Sequence, residues 1–315
     1  MPLFGRPRTP AGPLPPGPAA RPPGSDQEDQ AALSRGDLPT SVTERLTRER
    51  ERDLPWTSTL SVADWALSRG LGFEPLGQVM GSSIYHTGWT YMPGWQSGEL
   101  DAPTRAAHSV RTLALERMRQ EAALLGASGV IAVRIVRKAY EWGDNLTEFT
   151  ATGTAVRVAG AAGATHPFLA TVDGADLARL LAAGHVPLGV ALGVSVAYVY
   201  TDWTSMMQEA GWSNQEMVSF TQATYAVRQL AMQRLEREAR AAAADGVVAY
   251  DTAMEVTRVE RGGGGGGGGG AGQDRTDHIL EFSAIGTAIG RMARPVAPTP
   301  VRAILSVRDN AEEGA

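Results

Sequence analysis

The sequence predicts an α+β fold of two repeated β-α-β-β modules, each a small antiparallel or mixed sheet covered on one face by a long helix. Three observations carry this. The nine residues EFTATGTAV at 148–156 recur as EFSAIGTAI at 281–289. Pro75-Leu76-Gly77 and Gly81 recur at an offset of 112 as Pro187-Leu188-Gly189 and Gly193. Val110-Arg111, Leu113-Ala114, Arg117 and Glu121-Ala122 recur at an offset of 117 as Val227-Arg228, Leu230-Ala231, Arg234 and Glu238-Ala239. Self-similarity at a long, nearly fixed period is the mark of a duplicated structural unit.

Each unit reads strand, loop, helix, strand, strand. EPLGQVMGSSIY and VPLGVALGVSVAYVY alternate and carry glycines, as strands do where they bend or meet another backbone closely. From about Thr104 to Leu125, the residues Ala106, Val110, Leu113, Ala114, Met118, Ala122 and Leu125 follow the helical period, and Gly126 ends it. GVIAVRIV and GVVAYDTAMEV read as strands opening on apolar runs. In the closing strands Phe149, Ala151, Gly153 and Ala155 share one face, as do Phe282, Ala284, Gly286 and Ala288. Those small residues let a helix lie close. The other face carries Thr150, Thr152, Thr154 and Val156 in one unit and Ser283, Ile285, Thr287 and Ile289 in the other. One helix covers one face, so the second face must meet a neighbour, with Ile285 and Ile289 on the more apolar side.

The expected organisation is a proline-rich disordered tail over 1–52, a first repeat over 53–160, a linker over 161–167, a second repeat over 168–292 with a glycine insertion at 262–270, and a tail over 293–315. The first 24 residues hold nine prolines and no apolar core of a signal peptide. The glycine run lacks the lysine and the spacing of a phosphate loop and reads as a lengthened hairpin. Leu180–Thr201 is uncharged over about the length that spans a bilayer. Its counterpart in the first unit contains Arg69, Glu74 and His86, so neither is expected to be a membrane span.

Hydrophobic residues make up 43% and charged residues 20% of the 315, as in globular proteins with packed cores. The formal net charge of -5 argues against a nucleic-acid binder that neutralises phosphates. Lys138 is the only lysine beside many arginines, as in chains from GC-rich bacterial genomes. The absence of cysteine excludes disulfides, thiolate catalysis and cysteine-ligated metals. A cytoplasmic location is expected.

RTLALERMRQEAALLGASGVIAVRI followed by EFTATGTAV resembles the YbjQ family, over most of 55–158 and more weakly over 168–290. The resemblance implies dodecin-like β-α-β-β modules assembling as a pentameric ring. It also brings a heavy-metal-binding label, which the residues must support on their own.

None of the five histidines is kept between the units: His86 falls on Tyr198, His108 on Tyr225, His185 on Phe73 and His278 on Asn145, while His166 lies in the linker. No HxH, HxxxH or HExxH spacing occurs. A metal site, if built, would draw on His86, His108 and Glu99 in the first unit. Arg117 and Glu121, repeated as Arg234 and Glu238, fall within the apolar arc of the helix and are expected to form structural ion pairs at i,i+4, the alternative being a ligand-facing pair at a subunit junction. Trp89, Tyr91, Trp95, Trp203 and Trp212 mark a loop before each helix, suited to holding a ligand or to packing. Asp64, Asp176, Glu148 and Glu281 recur as caps or solvated carboxylates. No nucleophile, acid/base pair or cofactor motif emerges. The expected function is a non-enzymatic oligomeric assembly or binding module that associates with itself through the uncovered sheet faces, with no cofactor. The alternative is a metal-handling protein centred on the first repeat.

Overall fold

A computed structural model of the chain describes residues 25–51, 56–86, 96–139, 146–158, 163–201, 216–261 and 275–292. In chain order the elements are α1 (Ser25–Ser34), α2 (Thr40–Arg50), α3 (Val62–Gly70), β1 (Phe73–His86), β2 (Gly98–Glu99), α4 (Asp101–Leu124), β3 (Gly129–Ala139), β4 (Leu146–Val158), β5 (Phe168–Leu169), α5 (Gly174–Ala182), β6 (His185–Val199), α6 (Val218–Ala241), β7 (Gly246–Arg261) and β8 (Arg275–Arg291). The aromatic loop residues, the glycine run and the C-terminal tail lie outside the described residues. Among the described residues, no helix is long and apolar enough to cross a membrane.

The fold is α+β, built on two small sheets of order β1-β4-β3-β5 and β2-β6-β8-β7. The three long strands of each are antiparallel, with the EFTATGTAV strand β4 and the EFSAIGTAI strand β8 in the centre. Both β3 and β7 shift register at a bulge, and there Ala132 and Ala249 take positive φ of 53° and 49°.

One face of each sheet carries a helix. Val79, Ala114, Met118, Ala122, Ala151 and Ala155 are fully buried between α4 and the first sheet. Val227, Ala231, Leu235 and Ala239 of α6 pack on Ala191, Leu280, Phe282, Ala284 and Ala288. The approach is close because strand glycines lie under the helix backbone: a Cβ on Gly81 would collide with the Ala114 carbonyl, and one on Gly193 with the Ala231 carbonyl.

Both helices end in a Schellman arrangement. Gly126 N–H donates to the Ala123 carbonyl and Ala127 N–H to Ala122, as Ala243 donates to Arg240 and Ala244 to Ala239. The left-handed position is Gly126 (φ 74°) after α4 but Ala243 (φ 54°) after α6. Ala243→Gly is therefore expected to stabilise the protein by about 1 kcal/mol, read as a raised thermal midpoint.

Three expectations need correction. The tail expected up to residue 52 contains α1 and α2, and Leu46 of α2 is fully buried in the core under α4. Proline richness stops at Pro23, and beyond it the chain finds an apolar surface to dock on. The boundary expected at 167/168 is crossed, because β5 pairs in parallel with β3, Phe168 with Gly129 and Leu169 with Val130. Finally, the β6-β8 part of the second face of the β6-β8-β7 sheet is covered within the chain, while Asp251, Ala253 and Thr257 of β7 stay exposed. Leu192, Val194, Val196 and Ile279 are buried there against Ala107 of α4, with Leu100 and Ile285 beside them. Thus the neighbour expected for Ile285 is the first half of the same chain.

The corresponding face of the first sheet is only partly covered. Thr154 accepts from the Thr59 N–H at 3.0 Å, as Thr287 accepts from Thr171 at 2.7 Å. Ile131 and Val156 are buried with Val172, Leu177 and Leu181. Farther along, Met80, Ile84 and Val136 stand 46%, 58% and 58% exposed.

Candidate functional site

Of the charged groups singled out by the sequence, Glu99, His108, Arg234, Glu238 and Glu281 meet at the seam where the start of α4 joins the second sheet. β2 places Glu99 there by pairing with the edge of β6, Gly98 opposite Tyr198 and Glu99 opposite Ala197. The Leu100 N–H donates to the Val196 carbonyl at 2.8 Å and the Val196 N–H to the Thr104 hydroxyl at 2.9 Å, so the chain enters α4 already fastened to β6. Arg234 donates to both carboxylate oxygens of Glu99, at 2.6 and 3.1 Å, and to the Val194 carbonyl at 3.1 Å. Ser195 donates to Glu99 at 2.6 Å. Burial pushes the Glu99 carboxyl up, but the hydrogen bonds from Arg234, Ser195 and Thr104 and the Arg234 charge outweigh it and hold its pKa below the usual carboxylate range.

One turn and two turns farther along α4, the seam closes with two more pairs. His108 Nε2 lies 2.7 Å from Glu238, whose other oxygen accepts the Leu192 N–H at 2.6 Å. Arg111 is 5% exposed, pairs with Glu281 and lies 4.2 Å from the centre of the Phe149 ring. Arg137 of β3 pairs with Glu255 of β7. A cleft of about 300 Å³ runs between Arg111, Arg137, Phe149, Leu192, Glu255 and Ile285.

The ion pairs expected within the helices do not form. Arg117 turns to the Ser82 carbonyl at 2.6 Å and the Leu33 carbonyl at 3.1 Å, and Glu121 takes the Met80 N–H at 2.8 Å and the Arg45 guanidinium at 3.4 Å. On α6, Arg234 and Glu238 find Glu99 and His108 instead of each other. The reason is shared: each Arg and each Glu faces strand backbone left without a ladder partner, along the edge strand β1 or along the part of β6 beyond its short pairing with β2, and those N–H and C=O groups compete for them. Burial lowers the Arg117 pKa. It also raises that of Glu121, against the opposing Met80 N–H and Arg45.

A carboxyl whose pKa is raised by folding adds stability below its unfolded pKa and loses it as pH rises through the folded value. Glu121→Gln is therefore expected to match or exceed the wild type in stability at pH 7. The advantage should vanish toward pH 4, which paired thermal melts across that range check.

The three candidate metal ligands do not assemble a site. Glu99 is taken by Arg234, Ser195 and Thr104, and His108 by Glu238, while His86 is exposed at the end of β1. Among the described residues no group of three His, Cys, Asp or Glu side chains is placed to hold a metal ion. The donor set of these described residues therefore does not fit a metal.

Of the recurring carboxylates, Asp64 and Asp176 sit in the first turns of α3 and α5, their N–H groups capped by Ser61 and Asp173. Glu281 is no solvated residue, since it holds the buried Arg111. That pair was signalled by the recurrence of Arg111 as Arg228 and of Glu148 as Glu281, but nothing in the spacing joins them. A separate cleft lies beside the stacked Trp56 and Trp65, whose ring centres are 6.3 Å apart.

The YbjQ family profile, described as "Putative heavy-metal-binding", matches residues 58–159. The chain is similar to an encapsulin nanocompartment protein of Mycobacterium tuberculosis, 32% identical over 265 residues that cover 82% of this chain and 94% of that protein. It is also similar to a UPF0145 protein of Helicobacter hepaticus, 34% identical over 91 residues, or 27% of this chain and 86% of that protein. No solved structure gives a significant match.

Proposed function

The chain belongs to the family of the Mycobacterium tuberculosis encapsulin nanocompartment protein, and from that premise we propose that it is a non-enzymatic, self-assembling component of a protein nanocompartment. The observation that carries this is the asymmetry between the two sheets. The first half of the chain covers Leu192 and Val196 on the second sheet, while Met80 and Ile84 at the matching positions of the first sheet stay exposed. A surface of that kind is an interaction site by default.

We read the two halves as copies of one module. Support comes from the glycines under the helices, from Ala132 and Ala249 at the two bulges, and from Thr154 and Thr287 bonded alike to Thr59 and Thr171. Units that join through unlike surfaces form a ring where the rotation between them closes, and a filament where it does not. A pentamer-based ring is the closed form that the YbjQ resemblance implies. Negative-stain electron microscopy of the untagged protein tests the proposal: particles of one size, each larger than a single chain, are expected. A field of dispersed single chains would sink it.

A further inference from the structure

We infer that the open face of the first sheet is the docking site for the second half of another copy of this chain, seated as the first half is seated on the second sheet within the chain. This rests on the self-assembly proposed above and specifies its contact.

The internal seam serves as the template. There the start of α4 offers Glu99, His108 and Arg111 to Arg234, Glu238 and Glu281. At the repeat offset of 117, the start of α6 carries Glu216, Tyr225 and Arg228 in those places, and all three are exposed. The receiving groups recur as Arg117, Glu121 and Glu148 on the first half. Both sides of the seam are thus present a second time, with the outer charges in the same order: a carboxylate for an arginine, and an arginine for a carboxylate. The apolar floor recurs in part, with Ser82 and Thr152 in the places of Val194 and Ile285. Met80 and Ile84 stand where Leu192 and Val196 are 3% and 2% exposed under α4.

Arg117 gives the second, independent observation. It is 8% exposed, and its Nε is buried without a hydrogen-bond partner. Its terminal nitrogens meet carbonyl oxygens, whereas its counterpart Arg234 is gripped by both oxygens of a carboxylate. A buried guanidinium held only by carbonyls is incompletely compensated. Glu216 of a second copy, placed as Glu99 is placed on Arg234, supplies the missing charge. The Leu33 carbonyl and the Arg45 side chain occupy that corner of α4, so docking at Arg117 requires both to give way.

The two surfaces lie on different halves of the chain. The contact is therefore head to tail, and it leads to a ring or a filament and not to a face-to-face dimer.

Charge reversal at the outer pair tests the arrangement; Arg228 is exposed, whereas Glu148 is half-buried, accepts from the Thr150 hydroxyl at 3.2 Å and stands opposite Lys138, so circular dichroism first checks that each variant folds. Sedimentation of full-length wild type, Arg228→Glu, Glu148→Arg and the double variant gives the answer. Each single variant is expected to associate about tenfold or more weakly. The double variant should recover, since every Glu again meets an Arg. Single variants that assemble as the wild type does, or a folded double variant that fails to recover, overturn the docking arrangement and leave self-assembly standing. A wild type that remains at 33.3 kDa ends both.

Discussion

Glu99→Ala is expected to cost about 2 to 3 kcal/mol of stability near neutral pH, because it leaves the Arg234 guanidinium half-sheltered without its carboxylate. The two side chains are 18% and 24% exposed, so water offsets part of the loss that a fully buried pair would show. The same change also removes the acceptor for the Ser195 hydroxyl, which is fully buried. The effect has a pH signature. A carboxylate whose pKa folding depresses contributes stability above its unfolded pKa and loses it as pH falls through the folded value. The gap between wild type and Glu99→Ala should therefore close below the usual carboxylate range, as Glu99 itself takes up a proton. Urea titrations at pH 7 and in that acid range measure both numbers. Equal stability at pH 7 would show that the seam does not depend on this pair.

Gly193→Ala should be at least as damaging, at about 3 kcal/mol. The added methyl group would meet the Ala231 carbonyl and the Leu235 backbone nitrogen of α6, and neither end of that contact is a flexible side chain that can turn away. The helix must lift from the sheet, which loosens Ala231 and Leu235 together. Gly189→Ala in the same strand is the matched control, because a Cβ there meets nothing within 4 Å, and its cost should stay within about 0.5 kcal/mol. Thermal melts of the two variants side by side decide it. Similar midpoints would mean that the helix does not ride on Gly193 as described.

Much of the fold was legible because it is local or periodic. The helix expected near Thr104–Leu125 is α4, Asp101–Leu124, and the small-residue face of β4 and β8 does lie under a helix. Arg117 and Glu121 lie on the apolar side of α4, as their helical spacing implies, and are 8% and 3% exposed. Their partners were not legible. Spacing shows that Arg117 and Glu121 are able to reach each other along the helix, but not that strand edges and α1–α2 compete for them. Glu99 is a candidate metal ligand in the sequence only by its place near His86 and His108, and in the fold its carboxylate is taken by Arg234, Ser195 and Thr104. Its partner Arg234 lies 135 residues away in sequence and is brought to it only by β2 joining the edge of β6. Likewise α1 and α2 escaped notice because their mean apolarity is low and only Leu46 ties α2 deeply into the core.

The native mass of the full-length, untagged chain at micromolar concentration tests self-assembly most directly. Species at whole multiples of 33.3 kDa, with one closed multiple dominant, are the expected result; a single species at 33.3 kDa throughout that range would contradict it.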